Sequence, residues 1–552
     1  MRIALAQINP TVGDFQGNTR KILDFARQAE GRADLVLFPE LAVCGYPPAD
    51  FLEKPSFIAR AEEAIEEIAR EGTSKGNLAI VCGYVTAAPQ GSGKRASNSA
   101  ALLAGGKVRF VQSKRLLPFY DVFDEQRYFA PAARQQLFEL CRERLAVSIC
   151  EDAWNDKNFW PERLYPVDPI EELMQGGGSV ILNLSASPYY RGKRELRCRM
   201  ISAIARKHGV PVVMVNQVGG NDSLVFDGSS FALGPDGSLL AQARSFEEDL
   251  VFFDTGGGSR TDAETACQNN ECEDGAVYQA LVLGTRDYIR KCGFRQAIVA
   301  LSGGVDSALV AAIAVDALGR ENVIGVGMPS AYSSSGSIED ARMLATNLGI
   351  TFELVPIHPL FDSFNAALAP LFAGHPPDIT EENIQSRIRG SLVMAVSNKF
   401  NALVLTTGNK SEMSVGYCTL YGDMVGALAV IGDVFKTEVY RLCRYINRNG
   451  TVIPQAILDK PPSAELRPGQ KDTDSLPPYE ILDPILEAYV EHYRSPEEIA
   501  ASHGYDLAMV RDVVKLVERS EYKRQQGALV LKVTAKSFGT GRRFPIAVKV
   551  QV

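Results

Sequence analysis

The segment QAIVALSGGVDSALVAAIAVDALG, residues 296–319, decides the fold of the second half of the chain. Its apolar start, its pair of glycines and its long apolar end predict a strand, a tight turn and a helix. The run NVIGVGMPS then begins another strand at Asn322. A strand, a helix and a second strand in this order make a βαβ unit, whose strands are parallel. We therefore predict an α/β domain with a doubly wound, Rossmann-like parallel sheet.

The turn of this segment, SGGVDS, is suited to a phosphate group. Gly303 and Gly304 let the backbone approach a ligand closely, and the N–H groups at the start of the following helix attract anions. The consensus GxxxxGK[ST] of another phosphate-binding loop is absent from the chain. As a bare string, the same six residues are equally compatible with a simple turn and helix cap.

In its context the segment resembles the phosphate loop of the N-type ATP pyrophosphatases, which cleave ATP between the α and β phosphates. The resemblance implies an α/β ATP pyrophosphatase domain with Mg²⁺ bound by Asp306, since this hard ion favours carboxylate and phosphate oxygens. It also implies an ATP and pyrophosphate site formed by Ser302, Gly303, Gly304, Val305, Asp306 and Ser307.

Three later blocks narrow this resemblance to the NAD synthetases: EENIQSRIRG at 381–390, LVLTTGNKSEMSVGYCTLYGDMVGALAVIGDVFKTEVYRL at 403–442, and ILDKPPSAELRPGQKDTDSLPPYEILD at 457–483. The resemblance implies that Thr407 and Lys436 contact ATP and its phosphates, and that Glu412 is a second metal ligand. Arg387, Arg389 and Asp423 would bind deamido-NAD, although an exposed helix face is the structural alternative for the two arginines.

The first half of the chain alternates short strand-like runs with helical stretches, which predicts a layered α/β domain. Three of its runs end in a reactive side chain: LVLFPEL carries Glu40, QSKRLLPFYDVFDE carries Lys114, and VSICEDAW carries Cys150. A thiol attacks an amide as its thiolate, so it needs a base and a positive or N–H environment for the oxyanion. Taken singly, Cys150 is also compatible with a buried core residue and the other two with a structural ion pair.

Together the FPE, KRLLP and CED motifs resemble the nitrilase (carbon-nitrogen hydrolase) superfamily, over about residues 1–255. The resemblance implies an αββα sandwich in which Glu40 is the general base, Lys114 stabilises the transition state and Cys150 is the nucleophile. The backbone N–H of Glu151 would complete the oxyanion hole. Glu125 is the candidate for the second acidic residue that many members keep near the lysine.

A nitrilase domain ahead of an NAD synthetase domain resembles the arrangement of the glutamine-dependent NAD synthetases. This implies that deamido-NAD, ATP, glutamine and water give NAD, AMP, pyrophosphate and glutamate, with ammonia passing between the sites. The family's glutamine pocket maps onto Tyr46, Tyr120, Phe123, Glu151, Ser185 and Arg191. Glu151 would hold the α-amino group and Arg191 the α-carboxylate, while the aromatic residues are also compatible with core packing. The resemblance also implies a homo-oligomer.

Composition and charge bound the remaining expectations. The 552 residues carry a net charge of −8, which gives no basic footprint for nucleic acid. No run is long and apolar enough for a membrane span or a signal peptide, so we expect a cytoplasmic protein. The ten cysteines lack CxxC pairs, and we expect neither disulfides nor structural zinc. We predict domains at 1–258 and 276–552, the second including a C-terminal tail, with a linker at 259–275 that is rich in glycine and acidic residues.

Two alternatives remain open at this point. An ATP pyrophosphatase with the same loop can act on RNA or on a nucleotide base, although the acidic balance argues against RNA. Alternatively, the first domain is a catalytically inactive binding or oligomerisation module, and free ammonia feeds the synthetase. The intact set of Glu40, Lys114 and Cys150 argues against the second alternative.

Overall fold

The computed structural model describes residues 1–74, 76–257 and 272–549 of the chain. The chain divides into two compact units, residues 1–271 and 272–552. Most of the predicted linker, residues 259–271, and the end of the predicted tail, residues 550–552, lie outside the described residues. A helix begins at Glu273, three residues before the predicted start of the second domain. The exact domain boundaries therefore stay predictions.

The first unit is built on two six-stranded sheets and a two-stranded ribbon. The first sheet has the order β14-β1-β2-β3-β4-β5, the second has the order β13-β12-β9-β8-β7-β6, and β10 pairs with β11. The strands are β1 Arg2–Gln7, β2 Leu35–Leu37, β3 Ala79–Ala87, β4 Ala96–Ala104, β5 Lys107–Ser113, β6 Phe138–Leu140, β7 Glu143–Ile149, β8 Val180–Ser185, β9 Val212–Asn216, β10 Val218–Asn221, β11 Leu224–Asp227, β12 Phe231–Leu233, β13 Leu239–Gln242 and β14 Asp249–Asp254.

The two sheets pack face to face, and helices cover their outer faces. Because side chains alternate along a strand, β1 serves two cores at once. Ile3 and Leu5 join Val147 and Leu182 of the second sheet in the layer between the sheets, whereas Ala4 lies under the helices of the first. The helices are α1 Phe15–Ala29, α2 Pro55–Thr73, α3 Glu125–Tyr128, α4 Pro169–Gln175 and α5 Lys193–His208. The predicted αββα sandwich is confirmed.

The second unit is built on one parallel sheet with the order β17-β16-β15-β18-β19-β20. Its strands are β15 Ala297–Ala300, β16 Val323–Gly327, β17 Thr351–Leu354, β18 Leu403–Thr406, β19 Leu428–Ala429 and β20 Leu529–Val530. The first strand of this unit, β15, lies in the middle of the sheet, so the strand order reverses between β15 and β18. This is the doubly wound arrangement that was predicted, and ligands bind at the carboxyl ends of the strands beside such a reversal.

Helices cover both faces of this parallel sheet. They are α6 Glu273–Lys291, α7 Val305–Leu318, α8 Ser335–Leu348, α9 His358–Leu368, α10 Ile379–Phe400, α11 Lys410–Val415, α12 Lys436–Ile446, α13 Gln455–Asp459, α14 Tyr479–Leu486, α15 Pro496–His503, α16 Leu507–Arg519 and α17 Glu521–Arg524. One face packs against α10 through Ile384 and Ile388, which join Ile298 and Val326 in a buried cluster. The helix α7 is apolar on all sides because it is buried against the sheet and against α6 and α12.

Two sequence expectations concern the chain as a whole. Among the described residues, no helix combines the length and the apolar character that crossing a membrane requires. Cys198 is disulfide-bonded, so the expectation of no disulfides is wrong at this residue. A cysteine pairing depends on which side chains the fold brings together, and the spacing along the chain did not indicate it.

Candidate active sites

The first site gathers the three residues that end strands of the two sheets of the first unit. Glu40 follows β2, Lys114 follows β5 and Cys150 follows β7. The Lys114 Nζ atom donates to Glu40 Oε1 at 2.8 Å, and both side chains are fully buried. Glu40 and Lys114 act on Cys150 electrostatically in opposite senses. The sequence-predicted triad is thus assembled in one place.

The Glu40 carboxylate is held by three donors. Besides Lys114, the Asn98 Nδ2 atom donates to Oε1 at 2.7 Å, and the backbone N–H of Ala186 donates to Oε2 at 2.9 Å. Ala186 directly follows Ser185, the last residue of β8. A carboxylate fixed by donors on both oxygens has one orientation, as a base that serves a neighbouring thiol requires.

Glu125 lies in the same cluster and gives Lys114 a second acidic partner. The Lys114 Nζ atom donates to Glu125 Oε1 at 2.9 Å, and the Tyr46 hydroxyl donates to the same oxygen at 2.9 Å. Burial raises the pKa of Glu125 to about 7, against the opposing effect of Lys114. Burial alone would lower the pKa of the lysine, but Glu125 and Glu40 raise it well above its ordinary value. One lysine is therefore shared by two buried carboxyl groups.

Cys150 occupies a strained position at the start of a short 3₁₀ turn, Cys150–Ala153. Its φ of 40° lies in the left-handed region, which costs energy for a residue with a side chain and is common at functional sites. Burial and the neighbouring Glu40 raise the pKa of its thiol, while Lys114 lowers it. The thiol therefore needs a base to become a nucleophile at neutral pH.

Asp152 ties the turn that begins at Cys150 to the segment after Lys114, and it was not among the predicted site residues. Its Oδ1 atom accepts from the N–H groups of Arg115 and Leu116 at 3.0 and 2.8 Å. Its Oδ2 atom accepts from the N–H of Ile149 at 3.2 Å. The side chain is fully buried. Its position within the CED motif was a signal, but its partners were not readable from the sequence.

The residues predicted to bind glutamine make three separate sets of contacts. The Glu151 carboxylate accepts from the Tyr120 hydroxyl at 3.1 Å, and Phe123 packs edge-on against Tyr120 with ring centroids 5.5 Å apart. The Ser185 hydroxyl donates to Asn183 Oδ1 at 2.6 Å, whereas Tyr46 belongs to the Glu125 side of the cluster.

Two further residues near Glu151 were not predicted. The Tyr165 hydroxyl donates to Glu151 Oε1 at 3.0 Å. The Lys193 ammonium lies 4.0 Å from the centre of the Trp154 ring, and it partly opposes the burial that raises the pKa of Glu151. Arg191, the predicted carboxylate partner, lies two residues before Lys193 and just ahead of α5. Lys193 is therefore a second basic residue, besides Arg191, that is a candidate to bind the α-carboxylate of glutamine.

The second site is a cavity of about 310 Å³ at the carboxyl edge of the parallel sheet. It is lined by eleven of the predicted residues: Ser302, Gly303, Gly304, Val305, Asp306, Ser307, Arg389, Thr407, Glu412, Asp423 and Lys436. Arg387 is outside this lining, and its Nε atom donates to the Leu420 carbonyl at 3.2 Å. Because Arg387 and Arg389 are two residues apart on a helix, they point in different directions.

The loop at 302–307 has the shape that its glycines predicted. Gly303 has a φ of 79°, and a Cβ atom there would lie 2.2 Å from the Ser337 carbonyl oxygen. The Gly304 N–H donates to Ser302 Oγ, and the Ser307 hydroxyl donates to the Gly304 carbonyl. These bonds fix a tight turn at the start of α7, where backbone N–H groups favour a phosphate.

Lys436 joins the two carboxylates predicted to bind metal. Its Nζ atom forms ion pairs with Asp306 and, at 3.3 Å, with Glu412. Asn409 Nδ2 donates to the other oxygen of Asp306 at 3.0 Å. Burial raises the pKa of Glu412 to about 8, against the effect of Lys436. Two carboxylates beside a phosphate loop are the oxygen ligands that Mg²⁺ prefers.

Arg389 and Asp423 also line the cavity, and among the described residues neither has an opposite charge in hydrogen-bond contact: Arg389 is half-buried and Asp423 is exposed. Partial removal from water lowers the pKa of Arg389 to about 10, and its Nε atom donates to the Met328 carbonyl at 3.0 Å. Partial removal from water likewise raises the pKa of Asp423 to about 6, while the Thr419 N–H donates to it at 2.7 Å. Charges kept in this way are available to a charged ligand.

The segment 458–479, which is part of the block at 457–483 that resembles the NAD synthetases, contributes to the same cavity. Between α13 and α14 it contains only the short 3₁₀ turn Asp472–Asp474. Lys460, Glu465 and Asp472 are among its residues that line the cavity. The Ser337 hydroxyl donates to Glu465 at 2.6 Å, so the segment contacts the helix that follows β16.

Comparisons with known proteins agree with both halves of this description. Residues 277–527 match the family NAD synthase, and residues 2–255 match the family carbon-nitrogen hydrolase. A glutamine-dependent NAD(+) synthetase of Synechocystis is 51% identical, over 99% of this chain and 98% of the relative. One of Thermotoga maritima is 43% identical, over the same shares of the two chains.

Two solved structures are similar along the whole chain. The glutamine-dependent NAD+ synthetase of Acinetobacter baumannii, solved in complex with ADP, is 40% identical with a TM-score of 0.76, over 99% of this chain and 98% of that one. The enzyme of Cytophaga hutchinsonii has a TM-score of 0.84 at 22% identity, over 99% and 97% of the two chains, which supports the fold alone.

Proposed function

This chain belongs to the glutamine-dependent NAD(+) synthetases, which are ATP-dependent, glutamine-hydrolysing ligases, and we propose that its two sites divide the reaction between them. The first site releases ammonia from glutamine. The second site uses ATP to activate the nicotinate carboxylate of deamido-NAD and lets ammonia displace AMP. NAD, AMP, pyrophosphate and glutamate are the products.

In the first site, Glu40 takes the thiol proton of Cys150, and the sulfur attacks the side-chain amide carbon of glutamine. Lys114 and the N–H of Glu151 stabilise the oxyanion, and ammonia leaves as a thioester forms. Water then hydrolyses the thioester to glutamate. The buried Glu40 and Lys114 pair at 2.8 Å supports this division of roles. Tyr46, Tyr120, Phe123, Glu151, Ser185 and Arg191 are the proposed glutamine contacts.

In the second site, the carboxylate of deamido-NAD attacks the α phosphorus of ATP, and pyrophosphate leaves. Ammonia then attacks the acyl carbon of the adenylate, and AMP leaves. The loop at 302–307, Thr407 and Lys436 hold the phosphates, while Arg389 and Asp423, which line the cavity, bind deamido-NAD. The position of Arg389 in the cavity lining supports this, because a guanidinium group suits phosphate oxygens. Arg387, which lies outside the lining, would reach only a part of deamido-NAD that extends beyond the cavity.

Asp306 and Glu412 are the residues that would hold Mg²⁺. When bound, this ion neutralises phosphate charge as pyrophosphate leaves. Their shared contact with Lys436 brings the two carboxylates close together, and Mg²⁺ often takes two carboxylates together with phosphate oxygens. A homo-oligomer and a cytoplasmic location are also part of the proposal.

The observation that carries the proposal is one chain with two complete sets of reactive groups. We expect Cys150→Ala to lose NAD formation from glutamine at least about 100-fold, because no thioester can form. The same variant should keep NAD formation from ammonium chloride. NAD is measured with deamido-NAD, ATP and Mg²⁺ supplied, and with each nitrogen source in turn.

Cys141→Ala is the matched control, since Cys141 is an exposed thiol of the same unit. It should keep both reactions. Continued use of glutamine by Cys150→Ala would contradict the assignment of the nucleophile. If the unaltered protein formed NAD from ammonia but not from glutamine, the first unit would be an inactive module.

A further inference from the structure

We propose that Tyr165 is a specificity-determining residue for glutamine hydrolysis, because its phenol orients the Glu151 carboxylate toward the α-ammonium group of the substrate. The inference rests on the proposed function, in which Glu151 receives that group. It adds a residue from the irregular segment between Ala153 and α4, where the sequence shows no motif.

Burial raises the pKa of Glu151, whereas the nearby Lys114 ammonium and hydrogen bonds from Tyr165 and Tyr120 favour its charged form. The carboxylate directly follows the nucleophile in the chain, and the residue is 3% exposed. Its hydrogen bonds come from the hydroxyl groups of Tyr120, 3.1 Å from both oxygens, and of Tyr165, 3.0 Å from Oε1. Neutral hydroxyls orient a carboxylate without cancelling its charge, whereas a bidentate arginine would cancel it. A buried carboxylate held in this way suits a cationic ligand group.

The two tyrosines donate hydrogen bonds unequally to the two carboxylate oxygens of Glu151. Oε1 accepts from both hydroxyls, while Oε2 receives only a share of the Tyr120 hydroxyl. The terminal torsion of glutamate is soft, so its hydrogen bonds decide where each oxygen points. Tyr165 therefore fixes Oε1 and leaves Oε2 with the larger acceptor capacity for a ligand N–H group.

Tyr165 is itself held in place by a buried amide. Asn155 is 1% exposed, and its Nδ2 atom donates to the Tyr165 carbonyl at 2.9 Å. The Tyr165 N–H returns a longer bond to Asn155 Oδ1 at 3.4 Å. Asn155 lies only four residues after Glu151, so it ties the irregular segment to the turn that carries the nucleophile. The position of the phenol is thus set by a contact independent of Glu151.

This arrangement predicts discrimination by the α-ammonium group. Glutaramate has the same side-chain amide and the same carboxylate as glutamine but lacks the amino group. A site built to pair with a polar group rejects an analogue that lacks this group, because its own buried group is left without a partner. Tyr165 should therefore matter for glutamine and not for glutaramate.

The test compares Tyr165→Phe with the unaltered full chain, with ATP and deamido-NAD present, by ammonia release from L-glutamine and from glutaramate. We expect kcat/KM for L-glutamine to fall about 10-fold, since a hydrogen bond to a charged group is lost. The value for glutaramate should stay within about 2-fold. Tyr128→Phe is the matched control, because that hydroxyl donates to Asp50 at 2.7 Å on the exposed surface.

A second measurement separates this inference from the proposed function. In a Cys150→Ala background, calorimetry gives the Kd of each ligand with and without Tyr165→Phe, independently of turnover. Equal losses for both ligands, or no loss for L-glutamine, would overturn the role of Tyr165. If Glu151→Gln also left the ratio of the Kd values for L-glutamine and glutaramate unchanged, Glu151 itself would not bind the α-ammonium group. Unchanged glutaramate hydrolysis reports whether the first unit of Tyr165→Phe is folded, and NAD formation from ammonium chloride reports the same for the second unit.

Discussion

Glu125 and Glu40 share the Lys114 ammonium. Burial is the largest cause that raises the pKa of Glu125 to about 7. When Glu125 is ionised, the Lys114 ammonium is divided between two negative charges. When Glu125 is protonated, Lys114 pairs with the Glu40 carboxylate alone and binds it more strongly, which makes that carboxylate less available to the Cys150 thiol.

This sharing predicts a pH dependence at the level of one residue. Glutamine hydrolysis should fall as the pH drops through about 7, because Glu125 becomes protonated there. Glu125→Gln imitates the protonated state, so its rate should be lower and should no longer change near pH 7. Ammonia release from pH 5.5 to 8.5 measures both profiles. An inflection near pH 7 that survived in Glu125→Gln would belong to another group.

The raised pKa of Glu125 also makes the stability of the folded protein depend on pH. The folded pKa of Glu125 lies above its ordinary value of 4.5, so folding takes up a proton between these two pH values. The contribution of this group to stability is therefore largest below pH 4.5 and falls as the pH rises toward 7.

At the scale of elements, the six-residue helix α11 depends on buried charge more than on its length. Lys410 is fully buried, and its Nζ atom contacts Asp433 at 2.9 Å, Glu491 at 2.6 Å and Thr534 at 2.7 Å. Arg524 caps the other end by donating to the Ser414 carbonyl at 2.7 Å. Isolated helices this short are not stable, so these contacts hold Glu412 at the cavity.

Lys410→Met should destabilise the second unit by about 3–5 kcal/mol, because it leaves buried carboxylates without their cation. Urea unfolding followed by far-UV circular dichroism measures this loss. Tryptophan fluorescence should change little, because both tryptophans, Trp154 and Trp160, belong to the first unit. Lys515→Met removes a surface pair with Asp512 and should cost less than about 1 kcal/mol. Equal midpoints for the two variants would contradict the role of Lys410.

At the scale of the whole molecule, the residues proposed for each half of the reaction lie within a single unit. Asp306→Asn should abolish NAD formation from both glutamine and ammonia, by at least about 100-fold, because the phosphate site loses a charged ligand. Basal glutamine hydrolysis at Cys150 should remain. Cys150→Ala should show the opposite pattern, because it loses glutamine hydrolysis and keeps NAD formation from ammonia.

The measurement is glutamate release and NAD formation on the same samples. Asp362→Asn, an exposed position on α9, is the control and should leave both unchanged. If Asp306→Asn kept NAD formation from ammonia, Asp306 would not be a required Mg²⁺ ligand in the phosphate site.

The sequence alone determined the two sheet architectures, and it predicted most of the residues that the structure brings together at the two candidate sites. The reason is that this information is local. A reactive residue at the end of an apolar run, such as Glu40 or Cys150, must lie at a sheet edge, and the carboxyl ends of parallel strands meet there. Gly303 predicted a turn because few other residues accept its backbone conformation.

Only the tertiary structure decided which distant side chains meet. Tyr165 and Asp152 became parts of the first site through contacts that no local pattern encodes. Packing also decided that Arg389 lines the cavity while Arg387 does not, and it gave Lys410 partners more than 80 residues away in Glu491 and Thr534. Periodicity fixes which face of a strand or helix is buried, whereas the identity of a partner across the core depends on how whole elements pack.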